Sequence, residues 1–118
     1  MGEIIKTTNG NYVISDPEPG NLANQRDMLD LISLCLDPTS HKLLITEGAL
    51  HPDFFDLSTG LAGELVLKLT SYLVKTAIVV DLESVPSQRF KEWAGESNRG
   101  REIHLCSSQK IAEEWLLE

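Results

Sequence analysis

Two short segments of apolar and β-branched residues open the chain and predict an antiparallel hairpin. Residues 3–7 and 11–15 have the composition of strands and flank Asn9-Gly10, a dipeptide that tolerates the positive φ angles of a tight turn. The stretch 16–21 contains two prolines and a glycine, which interrupt regular structure. We therefore expect two paired strands followed by a break.

Helical and strand-like patterns then alternate to the end of the chain. Short runs dense in apolar residues predict buried strands at 42–47, 75–81 and 101–106. Apolar residues at helical spacing predict a helix before, between and after these strands. The expected core positions of the four helices are, in chain order, Met28, Leu31, Ile32 and Cys35; Leu61, Ala62, Leu65, Val66, Leu69 and Leu73; Phe90, Trp93 and Ala94; and Ile111, Ala112, Trp115 and Leu116.

Residues that start or stop helices mark the predicted boundaries. Asp37-Pro38 ends the first helix, because the residue before a proline avoids the helical conformation. Serines precede the third and fourth helices, where a hydroxyl accepts hydrogen bonds from the first backbone N–H groups. The other predicted boundaries are Ser58 or Thr59 and Val74 for the second helix, Ser84 or Ser87 and Gly100 for the third, and Ser107 or Ser108 for the fourth.

The order of these elements, ββαβαβαβα, predicts the fold class. Strands joined by a single helix lie parallel in one sheet, with right-handed crossovers. The expected fold is therefore α/β, with a single mixed sheet that begins with an antiparallel hairpin and continues with parallel strands. The 118 residues show no linker or repeat, so we expect one domain over residues 1–118.

The composition narrows the classes of function. Apolar residues make up 42% of the chain and charged residues 24%, which are ordinary fractions for a folded domain. The net charge of −8 opposes contact with phosphate backbones and anionic lipid, so we expect neither nucleic acid nor membrane as a partner. The chain start shows no secretion or lipidation pattern, and we expect a cytoplasmic protein with Cys35 and Cys106 as reduced packing residues.

The segment 53–69 carries the candidate site. Gly60 and Gly63 stand where a helix should be firmest, although a glycine inside a helix costs about 1 kcal/mol relative to alanine. They would allow another backbone or a ligand to approach the first helical turn closely. Ser58 and Thr59 precede the apolar stripe, so either hydroxyl could cap the helix, and the positive helix end would also accept a phosphate carried by that hydroxyl.

This segment resembles the motif of a known family. Ser58-Thr-Gly-Leu-Ala-Gly63, preceded by Asp56, is similar to the Asp-Ser-Ser-Gly-Leu-Gly segment of STAS domains, the fold of bacterial anti-sigma-factor antagonists. The resemblance implies that Ser58 corresponds to the serine phosphorylated by a partner kinase that is also an anti-sigma factor. It also implies that the same helix end is the docking surface. Leu57 separates Asp56 from Ser58, whereas the acidic residue and the serine are adjacent in STAS domains.

Over nearly its full length the sequence also resembles a family of short bacterial proteins known only as a domain of unknown function. Residues 53–64 and 96–101 carry this resemblance, which implies no activity. The expected function is therefore drawn from the STAS resemblance: a non-enzymatic, protein-binding regulatory module without a cofactor. The candidate phosphorylation and partner-binding residues are Asp56, Ser58, Thr59, Gly60 and Gly63, with Phe54 and Phe55 as loop-packing residues or partner anchors.

Two other classes of function stay open at this point. A small enzyme or ligand-binding protein would use the 51–60 loop, where His51, Asp53 and Asp56 supply an imidazole and two carboxylates. A metal site needs three or four converging ligands, and Ser58 lacks the Gly-x-Ser-x-Gly elbow of hydrolases, so we expect no metal and no catalytic residue. A homodimeric structural module would pair through an apolar helix face or through the two phenylalanines.

Overall fold

The computed structural model describes residues 2–15, 22, 24–36 and 41–118, and in these residues the expected α/β class is confirmed. The predicted breaks at 16–21 and Asp37-Pro38 lie outside them. The strands are β1 (Gly2–Thr7), β2 (Gly10–Ser15), β3 (Lys42–Ile45), β4 (Lys75–Val79) and β5 (Ile103–Cys106), and the helices are α1 (Gln25–Leu36), α2 (Leu61–Ser71), α3 (Gln88–Ser97) and α4 (Gln109–Leu116).

The five described strands form one mixed sheet in the order β1-β2-β3-β4-β5. The β1 strand pairs antiparallel with β2, and each later strand pairs parallel with the one before it. The sequence predicted a mixed sheet that begins with an antiparallel hairpin, and this is confirmed; among the described strands, β1 and β5 are the edges. In the described part of the chain, no helix has the length and apolarity to cross a lipid bilayer.

The hairpin turn lies one residue earlier than predicted. Thr7 pairs with Gly10, so the two turn residues are Thr8 and Asn9. The side chain of Thr7 holds this register, since its Oγ1 donates to the Gly10 carbonyl at 2.7 Å and accepts from the Asn9 N–H at 3.1 Å. Gly10 has φ 137°, a conformation that favours glycine, and it serves as the first residue of β2.

Side chains alternate between two covered faces of the sheet. Crossovers of the same hand between consecutive parallel strands place their helices on one face, and α1, α2 and α3 share one core there. The α4 helix follows the last strand and packs on the other face. The face under α1–α3 carries Val13, Leu43, Ile45, Ile78, Ile103 and Leu105, and the face under α4 carries Tyr12, Leu44, Ala77 and Cys106.

Among the described residues, three titratable side chains are buried in the cores on the two sides of the sheet. Cys35 and Cys106 are buried and are not joined in a disulfide, as expected of packing residues, and burial raises the pKa of Cys35 to about 12. The buried phenol of Tyr12 donates to Glu113 Oε2 on α4 at 2.8 Å. Burial, followed by this hydrogen bond, raises the pKa of Tyr12 to about 12. The phenol therefore joins β2 to α4 in its neutral form.

The helix ends differ in places from the predicted ones. Ser87 and Ser108 cap α3 and α4 as predicted, each accepting a backbone N–H at 3.2 Å. The α3 helix ends at Ser97, before the predicted Gly100. The α2 helix ends at Ser71, and Leu73 beyond it is 78% exposed with φ 57°. The N–H of Val74 bonds to the Leu69 carbonyl at 2.9 Å and turns the chain, so Val74 enters the core in place of Leu73.

Candidate functional site

The loop before α2 consists of ordered turns. Two 3-10 turns, Pro52–Phe55 and Leu57–Thr59, directly precede the helix. His51 caps the first turn, because its Nδ1 accepts a backbone N–H at 3.1 Å. Asp56 caps the second, because its Oδ1 accepts the N–H of Ser58 at 3.0 Å. These bonds hold the side chains of the loop in defined positions.

Phe54 attaches this loop to α3. Its side chain is buried, and its ring lies edge-on to Phe90 and Trp93, with centroid distances of 5.6 and 6.0 Å. Phe55 is half-buried and lies 5.3 Å from Phe90. Such aromatic pairs stabilise by about 0.5–1.5 kcal/mol beyond the burial of area. The expectation of Phe54 as a partner anchor is therefore wrong, because the core covers its ring, and loop packing is its observed role.

Ser58 lies at the surface, within the second 3-10 turn and three residues before α2. Its Oγ donates to Asp56 Oδ1 at 2.6 Å. The predicted capping of α2 by Ser58 is therefore wrong, since the hydroxyl is directed toward the carboxylate of the turn. The hydroxyl also does not donate to His51, so the described geometry forms no serine–histidine pair of the kind that hydrolases use.

Thr59 and Gly60 form the junction between the turn and α2. The Thr59 hydroxyl donates to the carbonyls of Asp53 and Asp56, which lie 2.7 and 2.8 Å from its Oγ1. The same Oγ1 accepts the N–H of Leu61 at 3.3 Å. Thr59 thus supplies part of the predicted capping. The N-cap residue is Gly60, with φ 80° and no side-chain cap. A left-handed conformation of this kind explains the glycine at this position.

Hydrogen bonding keeps Asp56 ionised. The side-chain bond from Ser58, then its backbone N–H, and a smaller attraction by Arg89 lower the pKa of this exposed carboxyl from its usual value. A carboxylate that acts as a general base near neutral pH has a raised pKa instead. The hydrogen-bonded pair of Ser58 and Asp56 is therefore suited to holding the turn together rather than to accepting a proton from a substrate.

Gly63 faces open space on the exposed side of α2. A Cβ added there would meet no atom within 4 Å, so close packing inside the described chain does not require the glycine. Leu67 follows one turn later on the same side and is 65% exposed. Ser58, Gly60, Gly63 and Leu67 together are called the α2 surface below. The sequence pattern indicated its glycines and serine, and it left Leu67 outside the predicted core positions of the helix, but it did not single out Leu67 as a candidate for binding.

A second exposed feature is a groove of about 940 Å³ beside α4. It is bounded by the residues after β4, by the end of β5 and by α4. The prediction that Ile111 is buried is wrong, because its side chain is 48% exposed. We call this feature the α4 groove and define it by Asp81, Glu83, Ile111, Glu114, Trp115 and Glu118, which are among its lining residues.

The histidine and carboxylates of the 51–60 loop do not assemble into a metal site. His51 Nδ1 lies 3.7 Å from Asp53 Oδ2, while Asp56 is engaged by Ser58. Among the residues that the structure describes, no group of three or more histidine, cysteine, aspartate or glutamate side chains could hold a metal ion. These loop residues cap turns, which is the role their hydrogen bonds show.

The fold and its exposed features define a small α/β domain with one mixed sheet. The chain belongs to the family described as a domain of unknown function, DUF4180, whose model matches residues 7–116. The expected membership of a domain-of-unknown-function family is thereby confirmed. Comparison with curated proteins gives no match, and comparison with solved structures gives none either.

Proposed function

We propose that this protein is a non-enzymatic, STAS-like binding module of a bacterial cytoplasmic regulatory circuit, and that it binds a partner protein through the α2 surface. The observation that carries the proposal is the neighbouring pair Gly63 and Leu67. One has open space around its Cα, and the other exposes most of an apolar side chain. A partner that covers both would bury apolar area and approach the helix backbone closely.

Ser58 would give this surface a point of control. A partner kinase of the anti-sigma type would transfer a phosphoryl group from a nucleoside triphosphate to Ser58 Oγ, releasing the nucleoside diphosphate and the hydroxyl proton. The phosphate would add about −1.5 to −2 charges. It would also replace the donor of the 2.6 Å bond to Asp56. Repulsion between phosphate and carboxylate would open the 3-10 turn and alter the surface that the partner contacts.

Capture of the partner from a bacterial lysate, quantified by mass spectrometry, tests the binding surface. Gly63→Arg and Gly95→Arg make the same change on two helices, and both glycines are exposed with open space around an added Cβ. We expect Gly63→Arg to reduce capture about tenfold or more, equivalent to 1.4 kcal/mol or more. Gly95→Arg should leave capture unchanged. Equal capture by the two variants would contradict binding through the α2 surface.

Ser58→Asp and Ser58→Ala separate the proposed switch from simple contact in the same assay. The aspartate adds a negative charge beside Asp56 and should weaken capture, whereas the alanine should retain it. Equal loss in both variants would show that the hydroxyl itself makes the contact. Full capture by both variants would contradict a role of Ser58 in binding, but it would not contradict binding through the α2 surface.

Self-association is the second candidate, and exposed leucines favour it. Leu67 and Leu73 are 65% and 78% exposed, and two copies could pair these side chains. Sedimentation would then give a mass that rises with concentration and returns to the monomer value in Gly63→Arg. The net charge of −8 opposes this pairing at low salt, so added salt should strengthen it.

A further inference from the structure

The α4 groove lies on the face of the sheet opposite to α2. Its floor includes residues at the carboxyl ends of the parallel strands β4 and β5, from Val80 and from Cys106–Ser107. The volume of about 940 Å³ falls within the usual range for binding clefts.

Apolar side chains run through the groove. Ile111 exposes nearly half of its surface, and Leu82 and Trp115 are half-buried. Trp115 is held in place from the sheet, with His104 stacked on its ring at 4.2 Å and Lys75 Nζ 4.5 Å from the ring centroid. A fixed aromatic beside an exposed isoleucine resembles the apolar centre of a protein-binding site, where large side chains provide most of the affinity.

Carboxylates border this apolar strip on both sides. Asp81 and Glu83 lie on the side of the turn after β4, and Glu114 and Glu118 lie on the side of α4. Lysine and arginine are absent from the described residues that line the groove. The carboxylates do not converge, since no metal-binding group occurs in the described residues. Negative charge spread along a cleft attracts an occupant that carries several positive charges along its length more than a single ion.

We propose that the α4 groove docks a basic, amphipathic segment of a partner protein, with lysine or arginine side chains toward the carboxylates and apolar side chains toward Ile111 and Trp115. The negative groove repels nucleic acid, and a small polyamine would leave the apolar strip uncovered. The site is independent of the α2 surface, because it lies on the other face of the sheet and uses none of the same residues.

A fluorescein-labelled peptide of lysine and leucine at helical spacing is the probe, and fluorescence anisotropy measures its affinity for the full chain. A peptide of the same composition in scrambled order is the control for charge alone. We expect the amphipathic peptide to bind about tenfold more tightly than the scrambled one. Equal affinities would overturn the proposal, because general acidity would then explain the binding.

Two pairs of variants test whether the peptide binds in the α4 groove. Ile111→Ser and Leu67→Ser each remove an exposed apolar side chain, and Glu114→Lys and Glu92→Lys each reverse an exposed helical charge. Only the groove variants, Ile111→Ser and Glu114→Lys, should weaken peptide binding, by about tenfold each. Equal weakening by the two members of either pair would overturn the proposal.

Two further measurements distinguish loss of binding from loss of folding, and peptide binding from binding of a small amine. Circular dichroism establishes that each variant is folded, and Glu118→Lys replaces Glu114→Lys if the latter is not. Spermine, which carries charge without apolar side chains, should compete poorly with the peptide at equal concentration. Displacement by spermine that is equally effective in Ile111→Ser would identify a small-amine site and overturn the peptide proposal. None of these results depends on whether Gly63→Arg affects capture, so the two proposals fail separately.

Discussion

The hydroxyl of Ser58 and the carboxylate of Asp56 form one unit at the scale of single residues. The hydroxyl and the N–H of the same serine both donate to Asp56 Oδ1. The serine therefore shapes its own turn and is exposed at the same time. Modification of its oxygen would act on a bond that holds the turn, which is why a local chemical change could alter the α2 surface.

Ser58→Ala should raise the pKa of Asp56 toward its ordinary value, because the hydrogen bond from the Ser58 hydroxyl is the largest cause of the lowered pKa. A lowered pKa in the folded state contributes stability above the pKa of the unfolded chain, and this contribution is lost as pH falls through the folded value. The free energy of unfolding of the alanine variant should therefore depend less on pH in the acid range. Carbon-13 NMR titration of the carboxyl measures the shift.

Ser71→Ala is the matched control for this titration, since Ser71 is an exposed serine at the far end of α2 that donates to the Leu67 carbonyl. It should leave the pKa of Asp56 unchanged. An unchanged pKa in Ser58→Ala would contradict the role given to the hydroxyl.

Residue types at the start of α2 were predicted correctly, but the contacts of Ser58 were not. The sequence placed Ser58 and Thr59 before the helix, where they lie. It could not show that Gly60 adopts a left-handed conformation, which separates the serine from the helix by an additional turn. Of the two hydroxyls that the sequence offered as caps, Thr59 accepts the N–H of Leu61, whereas Ser58 bonds to Asp56.

At the scale of elements, helical spacing predicted the buried sides well and the ends poorly. Leu73 and Ile111 continue apolar patterns in the sequence but are exposed. The α2 helix ends before Leu73 because the chain reverses through the Val74 bond. The α4 helix covers the sheet with Ala112 and Leu116, which leaves Ile111 beside the groove. Spacing alone does not determine which side of a broad apolar stripe meets the sheet.

The open edge of β5 is covered by a side chain rather than by a strand. Asn98, just after α3, accepts the N–H of Leu105 at 2.7 Å and donates to its carbonyl at 3.1 Å. The amide thus occupies two backbone groups that another chain could otherwise pair with. This contact explains how the edge strand β5 is protected from pairing at Leu105.

Asn98→Ala should destabilise the fold by about 1–2 kcal/mol, because it removes both partners of the Leu105 backbone groups. It should also increase self-association through the uncovered edge. Urea unfolding and light scattering measure the two effects. Asn98→Asp keeps an acceptor for the N–H of Leu105 and should destabilise the fold less than the alanine does. Wild-type stability in the alanine variant would contradict the edge role.

At the scale of the whole molecule, the order of elements along the sequence predicted a mixed sheet with an initial hairpin. Each predicted strand and helix occurs in the described residues, and the mixed sheet follows from parallel connections after one hairpin. The α4 groove was not predictable in this way. Asp81 and Glu83 are far in sequence from Glu114 and Glu118, and only the packing of α4 beside the end of β5 brings them to one cleft.

The two proposed surfaces lie on opposite faces of the sheet. The α2 surface is small and apolar beside an exposed hydroxyl, and the α4 groove is apolar between carboxylates. Since helices on opposite faces form them, one protein could contact two partners at once.

Photo-crosslinking in cells of the native host tests the central claim most directly. Benzoylphenylalanine replaces Leu67 on the α2 surface or, as a control, Glu92 on the exposed side of α3. A partner at the α2 surface predicts a discrete crosslinked adduct from position 67 that contains a different protein, and no such adduct from position 92. The absence of any adduct at position 67, or equal adducts at both positions, would contradict the account.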